Sequence, residues 1–129
     1  EEARQSAAAA SVRVSVEVAT AENLPYAEHS FDHVVSSLVF CSVTDQRQAL
    51  SEIRRVLRPG GTLHMVEHVR PDNPLLAGLT EFVTPWWRQI AYNCHLDRPT
   101  IDLLRQEAWD VEVHRRLAIF VRVSATSPN

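Results

Sequence analysis

The sequence predicts an α/β fold in which a mostly parallel sheet ends in an antiparallel hairpin. Short segments with the apolar pattern of strands alternate with segments of helical periodicity, in the order β-β-α-β-α-α-β-β after a short first helix. The last two strand-like segments follow each other too closely for a crossover helix, so they should pair antiparallel.

Composition limits the kind of protein. The chain has 129 residues, of which 45% are hydrophobic, so we expect a single domain over residues 1–129. The net charge is −3, and the sequence has no stripe of basic residues. Both features argue against nucleic acid as a partner. Its apolar stretches are shorter than the ~20 residues of a membrane span. The two cysteines are far apart, which predicts neither a disulfide framework nor a zinc knuckle, and we expect a cytoplasmic protein.

The first half of the chain should contain two strands and two helices. Residues 1–10 are rich in alanine and predict a helix, and residues 12–19 alternate valine with polar residues as a strand does. Residues 31–40 are apolar on both sides near their centre, which predicts a strand covered on both faces. An amphipathic helix should begin at Thr44 or Asp45, with an apolar face made of Ala49, Leu50, Ile53, Val56 and Leu57.

The second half should begin with a strand over residues 62–69. Two helical segments, residues 75–83 and 86–94, should follow with a break at Pro85, because proline removes a hydrogen bond of the helix. A third helix should start at Pro99-Thr100, and two strands, residues 110–117 and 118–125, should close the sheet.

Gly60 and Gly61 lie between a helix and a strand. A phosphate-binding loop requires the opposite order, in which a strand is followed by a glycine loop and then by the start of a helix. The chain has three glycines and no G-x-G-x-x-G pattern. The pair is therefore interpreted as a bend that allows the helix to end.

Polar groups appear where the apolar run of each of the first three predicted strands stops. The residues at these ends are Thr20, Ala21 and Glu22 for the first strand, Ser36, Ser37 and Leu38 for the second, and Glu67 and His68 for the third. Ligands of open parallel sheets bind at the carboxyl ends of the strands. These residues are therefore the candidates for a binding site.

The ordered set of segments resembles the second half of a class I S-adenosylmethionine (SAM) dependent methyltransferase. The resemblance rests on "AENLPY" followed by "SFDHVV", on the helix exit "LSEIRRVLRPGG" and on the strand end "EHV", and it covers about residues 12–117. The segments "LVFCSV", "EHVRPDN" and "PWWRQIAYNCHLDRPTIDLL" are more similar to the methyltransferase-like 7 group, which resembles thiol S-methyltransferases, than to the ubiquinone/menaquinone C-methyltransferases.

The resemblance implies a Rossmann-like sheet, with SAM as the cofactor. Thr20, Ala21 and Glu22 would lie by the adenine, and Ser36, Ser37 and Leu38 near the methionine end. The glycine-rich motif of the family is missing, so the chain is expected to be the C-terminal portion of the domain. In the family order 3-2-1-4-5-7-6, it would hold strands 3 to 7. The gap should be closed by pairing of its two early strands, or by a second copy that forms a homodimer through the exposed strand edge.

The roles of several side chains remain open at the level of sequence. His68 can orient or deprotonate an acceptor, or cap the strand end. Glu67 can be a base, or a carboxylate that is structural or orients the acceptor. Cys41 is interpreted as a small hydrophobic residue. An aromatic set can line an acceptor pocket or pack in the core: Phe82, Trp86, Trp87 and Tyr92. Adjacent tryptophans on a helix cannot share one face, so at most one of Trp86 and Trp87 should point into a pocket.

No metal site is expected from spacing along the chain. The polar residues considered do not form a set with metal-ligand spacing: His29, His33, His64, His95 and Glu112. The predicted function is methyl transfer from SAM to a small molecule, with a thiol as the preferred acceptor. The alternatives are an O- or C-methyltransferase of the quinone-modifying type and a non-catalytic remnant that acts through protein contacts.

Overall fold

A computed structural model describes residues 2–128 of the chain. Its helices and strands are, in order, α1 (Glu2–Ala8), β1 (Phe31–Ser37), α2 (Gln46–Val56), β2 (Leu57–His68), α3 (Pro74–Ile90), α4 (Thr100–Gln106), β3 (Asp110–Leu117) and β4 (Phe120–Thr126).

The four strands form one sheet in the order β1-β2-β4-β3. β1 and β2 are parallel, and β4 is antiparallel to both β2 and β3, so three of the four strands point in the same direction. The mostly parallel sheet with a final hairpin is therefore confirmed. The hairpin turns between Leu117 and Phe120, which face each other in the ladder. The order equals 4-5-7-6 of the family order, so the last four expected strands are in their expected places.

The hydrophobic core lies on one face of the sheet. α2 buries the apolar stripe that its sequence predicts, and residues of alternating positions on β2 and β4 pack beneath it together with α4: Leu63, Met65, Val121, Val123, Ala125 and Leu104. Of the two predicted N-caps of α2, Thr44 and Asp45, the structure uses Asp45. Its Oδ1 atom accepts a hydrogen bond from the Gln48 backbone N–H at 3.0 Å.

The predicted strand at residues 12–19 is wrong. Residues 13–19 have no regular secondary structure, and Val12, Val14 and Val18 are exposed. An alternating segment becomes a strand only beside another strand that satisfies its backbone groups and buries its apolar side. Within the described residues β1 pairs with β2 alone, so the expected pairing of the two early strands is also wrong.

β1 is shorter and less covered than its sequence predicts. It ends at Ser37 instead of residue 40, and the next residue, Leu38, has a left-handed φ of 56°. Val35 is 77% exposed, so the strand is not buried on both faces as expected. Its apolar sequence would suit a sheet with a second layer of helices, which the described residues do not provide.

The glycine pair forms an irregular start of β2. Phe31 faces Leu57 in the ladder and His33 faces Thr62, so residues 58–61 bulge out of register. Gly60 has a φ of 74°, and a Cβ atom on Gly61 would lie 2.8 Å from the Arg58 carbonyl oxygen. The pair is thus at the start of a strand, away from the carboxyl edge, in agreement with the interpretation as a bend.

α3 continues through Pro85, so the predicted break is wrong. Proline removes one hydrogen bond of a helix of 17 residues, and the turns on either side continue. The helix ends at Ile90 and not at residue 94, because Tyr92 and Asn93 have left-handed φ values of 49° and 64°. α4 begins at Thr100 with Pro99 as its N-cap, so the predicted start at Pro99-Thr100 is confirmed.

Candidate active site

The carboxyl ends of β1 and β2 lie side by side, as the parallel pairing requires. Ser36 and Ser37 face Met65 and Val66 in the ladder, and the Leu38 backbone N–H donates to the Val66 carbonyl at 2.8 Å. Because side chains alternate along a strand, neighbours at this edge point to opposite faces of the sheet. The candidate residues are therefore divided between the core and the opposite face.

Glu67 points into the core and is completely buried. Its Oε1 atom accepts hydrogen bonds from Ser36 Oγ at 2.8 Å and from the Val39 backbone N–H at 3.0 Å, and its Oε2 atom accepts from the Cys41 N–H at 3.4 Å. A buried carboxylate is tolerated only with such partners. The carboxylate fixes the turn that follows β1, and the Ser36 hydroxyl group is engaged in the same contact.

His68 points to the opposite face of the sheet. Its Nδ1 atom lies 3.3 Å from Cys94 Sγ, and its ring packs against the Phe120 ring with centroids 4.5 Å apart. Burial lowers the pKa of the imidazole below its ordinary value of 6.5, and the neighbouring Glu67 carboxylate opposes this only in part. The ring is thus neutral near pH 7 and has a lone pair that can accept a proton.

Two buried cysteines lie beside His68. Cys41 and Cys94 are both free thiols and form a second apolar cluster with Leu96 and with the half-buried Trp87. Burial raises the pKa of the Cys41 thiol to about 12, so it is protonated at neutral pH. The sulfur of Cys41, that of Cys94 and a ring nitrogen of His68 all lie within 4.8 Å of one another.

This three-residue cluster was missed at the level of sequence. Cys94 was not among the candidate residues, and the residues are separated by 26 or more positions along the chain. Metal-ligand motifs are recognised in sequences by close spacing, which gives no signal when three separate segments each supply one ligand. The positions become neighbours because β1, β2 and the chain after α3 end at the same edge.

The segment at residues 20–23 lies against the start of α2. The Glu22 Oε1 atom accepts hydrogen bonds from the backbone N–H groups of Thr44 and Asp45 at 3.0 and 3.3 Å. The pKa of the Glu22 carboxyl is lowered, most strongly by a hydrogen bond from its own backbone N–H and then by those from Asp45 and Thr44. Thr20 and Asn23 form an isolated bridge that tightens the turn around Ala21. The Thr20 side chain is exposed, as is Ser37 after β1.

Glu52 and Arg55 of α2 hold the following segment. The Leu24 backbone N–H donates to Glu52 Oε2 at 2.9 Å, and Arg55 donates to the carbonyl oxygens of Leu24 and Tyr26 at 3.0 and 2.7 Å. The hydrogen bond from Arg55, followed by that from Leu24, lowers the pKa of Glu52 to about 2. Two ionised side chains of one helix thus fix the position of the segment that carries Glu22.

The four aromatic candidates do not come together in one enclosure. Phe82 and Trp86 are exposed next to each other on α3, with ring centroids 5.3 Å apart, and Tyr92 is 94% exposed. Trp87 instead packs against the cysteine cluster. Trp86 and Trp87 thus point in different directions, as adjacent positions on a helix require.

Residues 1–65, half of the chain, match the family model described as a methyltransferase domain. The chain belongs to this family. Rat thiol S-methyltransferase TMT1B (Rattus norvegicus) is 45% identical over 85 residues, which are 64% of this chain and 35% of the relative. The ubiquinone/menaquinone biosynthesis C-methyltransferase UbiE of Hahella chejuensis is 48% identical over 59 residues, 46% of this chain and 24% of the relative.

The fold of the methyltransferase domain is also found among solved structures. A SAM-dependent methyltransferase from Methanosarcina mazei has a TM-score of 0.68 at 18% identity, covering 98% of this chain and 76% of that chain. The chain spans about a third of the length of the thiol S-methyltransferase that it matches. Every helix within residues 2–128 is too short or too polar to cross a bilayer.

Proposed function

We propose that residues 1–129 are the C-terminal portion of a SAM-dependent methyltransferase domain that methylates a small molecule, with a thiol as the acceptor. The observation that carries this proposal is the 45% identity to the thiol S-methyltransferase over 64% of the chain. β1 is an edge strand of the described sheet. This supports the proposal that the chain is only a portion of the domain, because the family order places further strands beside the equivalent of β1.

The polar groups at this edge fit one side of a nucleoside cofactor. Thr20 and Ser37 offer exposed hydroxyl groups, and the turn at Ala21 and Glu22 offers backbone groups at the start of α2. Leu38, held in a left-handed conformation, shapes the surface next to Ser37. Ser36 acts through the backbone only, since its hydroxyl group is bound to Glu67.

The cofactor, when bound, supplies a methyl group that is already activated for transfer to a nucleophile. The protein then has to align the acceptor and exclude water. A thiol has an ordinary pKa of about 8.5 and needs little help to ionise. His68 is the side chain suited to accept that proton, because its pKa is lowered by burial and its ring is half-buried at the strand end. Glu67 is a positioning residue, since its oxygens are engaged by Ser36, Val39 and Cys41.

A quinone-type acceptor is the second candidate, because UbiE relatives match 46% of this chain. The test is a methyl-transfer assay of the full-length gene product with SAM and a panel of thiols, phenols and quinones. We expect turnover with thiols. Turnover with quinones and none with any thiol would contradict the choice of acceptor. Absence of transfer to every acceptor would favour the non-catalytic alternative.

Two variants test the proposed roles within the full-length product. Ser37→Ala should weaken binding of S-adenosylhomocysteine at unchanged melting temperature, with Ser124→Ala, on the same exposed face, as the matched control. His68→Asn should lower kcat by more than it weakens cofactor binding. Equal losses of kcat and affinity would reduce His68 to a structural role.

The 129-residue chain alone should bind the cofactor weakly, because it lacks the glycine-rich motif. The exposed edge of β1 provides a surface for a second copy, so we also propose a homodimer through this edge. Titration with S-adenosylhomocysteine and light scattering test the two proposals. Micromolar binding by a monomer would contradict both. The compartment, expected to be the cytoplasm, remains a prediction that imaging of the tagged protein can test.

A further inference from the structure

We propose that Cys41, His68 and Cys94 together bind one divalent cation of the zinc type, with a fourth coordination position left for a non-protein donor. This inference does not depend on the proposed methyl transfer. It concerns the three-residue cluster at the carboxyl edge of β2, which is referred to below as the Cys-His-Cys cluster.

The spacing of the ligand atoms suits a tetrahedral ion. Zn–S bonds of about 2.3 Å and Zn–N bonds of about 2.1 Å place ligand atoms about 3.6–3.8 Å apart in a tetrahedron. In the cluster the His68 Nδ1 and Cys94 Sγ atoms are 3.3 Å apart, and all three ligand atoms lie within 4.8 Å of one another. Side-chain rotations that move each ligand atom by about 1 Å would be enough to close the site around an ion.

The segments that supply the ligands are already fixed to one another. The His95 backbone N–H donates to the Cys41 carbonyl at 2.7 Å, and Asn93 Nδ2 donates to the Ser42 carbonyl at 3.1 Å. These bonds connect the turn after β1 to the chain after α3, next to both cysteines. Glu67 holds the Cys41 N–H from the core side. These contacts do not involve the ligand atoms, so they can hold the ligand segments in place before an ion binds.

The charges around the cluster balance with a divalent cation. Two thiolates and the Glu67 carboxylate would carry three negative charges. Arg98 supplies one positive charge beside Cys41, since its Nη1 atom donates to the Phe40 and Val43 carbonyls at 2.7 Å. A divalent cation brings the sum to zero, which a buried site requires.

The donor set selects the kind of ion. Thiolate and imidazole ligands favour zinc and its soft neighbours over magnesium or calcium, which prefer oxygen. Three protein ligands with an open position are typical of zinc sites that bind a further small donor. Both cysteines are buried while His68 is half-exposed, so an ion reaches the cluster past the imidazole.

Three other histidines, His33, His64 and His114, lie on the open face of the sheet and offer a built-in comparison. His64 Nε2 lies 3.3 Å from His33 Nδ1, and His64 and His114 both contact Ser124 Oγ. This group is at the surface and has no sulfur ligand, so ions bound there would give a different spectrum from ions bound to the Cys-His-Cys cluster.

The test is titration of the metal-free, phosphine-reduced 129-residue chain with Co²⁺, followed by displacement with Zn²⁺. We expect one equivalent to bind with thiolate-to-cobalt charge-transfer absorption of two Co–S bonds and the visible bands of a tetrahedral ion. Cys94→Ser and His68→Asn should each weaken binding at least about tenfold. The control His29→Asn replaces an exposed histidine that is not a member of the cluster and should bind as wild type does. Far-UV circular dichroism of every metal-free variant checks that it is folded.

The wild-type spectrum alone can overturn the proposal, so a misfolded variant does not leave it undecided. Octahedral bands without charge transfer, or more than one equivalent before any sulfur signal, would place the ion on the histidines of the open face. Binding that is unchanged in a folded His68→Asn chain would also overturn it. An ion on His68 takes the lone pair that the proposed base uses, so zinc bound at the cluster should lower turnover of the full-length product. Unchanged turnover with zinc bound there would contradict the base role of His68 and leave the metal site standing.

Discussion

The two faces of the sheet differ in what covers them. On one face α2 and α4 bury an apolar layer that includes Leu63 and Val123, and the polar pair Ser36 and Glu67 is satisfied within it. On the other face the alternate positions of the same strands are exposed or half-exposed, including Val35, His64 and Arg122. β1, β2 and β4 therefore each have one side with buried residues and one that is still open to water.

The difference shows which part of the fold the chain can complete by itself. The packed face supports the edge at which Glu67 fixes the turn after β1, and this part needs no further layer. The open face carries an apolar residue, Val35, at the centre of an edge strand, where a second layer or a second strand would cover it. Variants on the two faces measure how far this asymmetry holds in solution.

The largest effect is expected from core truncation. Leu63→Ala removes a completely buried side chain and should lower the free energy of unfolding by about 2–5 kcal/mol. Val35→Thr on the open face should change it by less than about 0.5 kcal/mol. Urea unfolding of both variants gives the two values. A loss of several kcal/mol for Val35→Thr would mean that the open face is covered in solution by another copy.

A smaller effect is expected for the buried carboxylate. Glu67→Gln places an amide group among donors and leaves at least one of the Ser36, Val39 and Cys41 donors without an acceptor, which should cost about 1–3 kcal/mol. His64→Asn is the polar control on the open face and should cost less than half as much. The melting temperatures of the two variants give this comparison, and equal shifts would show that the contacts of Glu67 are not special.

Substitutions in the glycine bend test whether Gly60 and Gly61 are needed for the irregular start of β2. Gly61→Ala places a methyl group 2.8 Å from a backbone oxygen and should destabilise the protein by about 1–3 kcal/mol. Gly60→Ala has free space but a positive φ, and should cost about 1–2 kcal/mol. Chemical unfolding ranks the two. If Gly60→Ala keeps its stability and loses cofactor binding in the full-length product, the bend interpretation is wrong.

The smallest effect is expected from Glu52, and it depends on pH. The folded pKa of about 2 lies below the ordinary value of 4.5, so the ionised group stabilises the fold above pH 4.5 and this contribution is lost as the pH falls towards 2. Glu52→Gln should therefore cost about 1 kcal/mol at pH 7. Its difference from wild type should shrink as the pH falls from about 5 to about 2. A difference that is constant over this range would show that the charge of Glu52 does not hold the Leu24 segment.

Much of the sheet could be predicted from the sequence because local pattern and tertiary contact agree there. The apolar stripe of α2, its Asp45 cap and the closing hairpin all depend on residues close together in the chain. Residues 12–19 have an equally clear alternation and still form no strand, since a strand requires a neighbour that periodicity cannot supply. Pro85 is the opposite case, because the surrounding helix tolerates a residue that local rules treat as a break.

The sequence alone determined the fold class, the bend at Gly60-Gly61 and the strand ends that carry Ser36, Glu67 and His68, because alternation and turn chemistry are local properties. Only the tertiary structure decided that Glu67 faces the core while His68 faces away from it towards Cys94. The Cys-His-Cys cluster likewise exists only in three dimensions. Its members come from three separate segments, and the ends of the strands bring them together through hydrogen bonds that no spacing along the chain encodes.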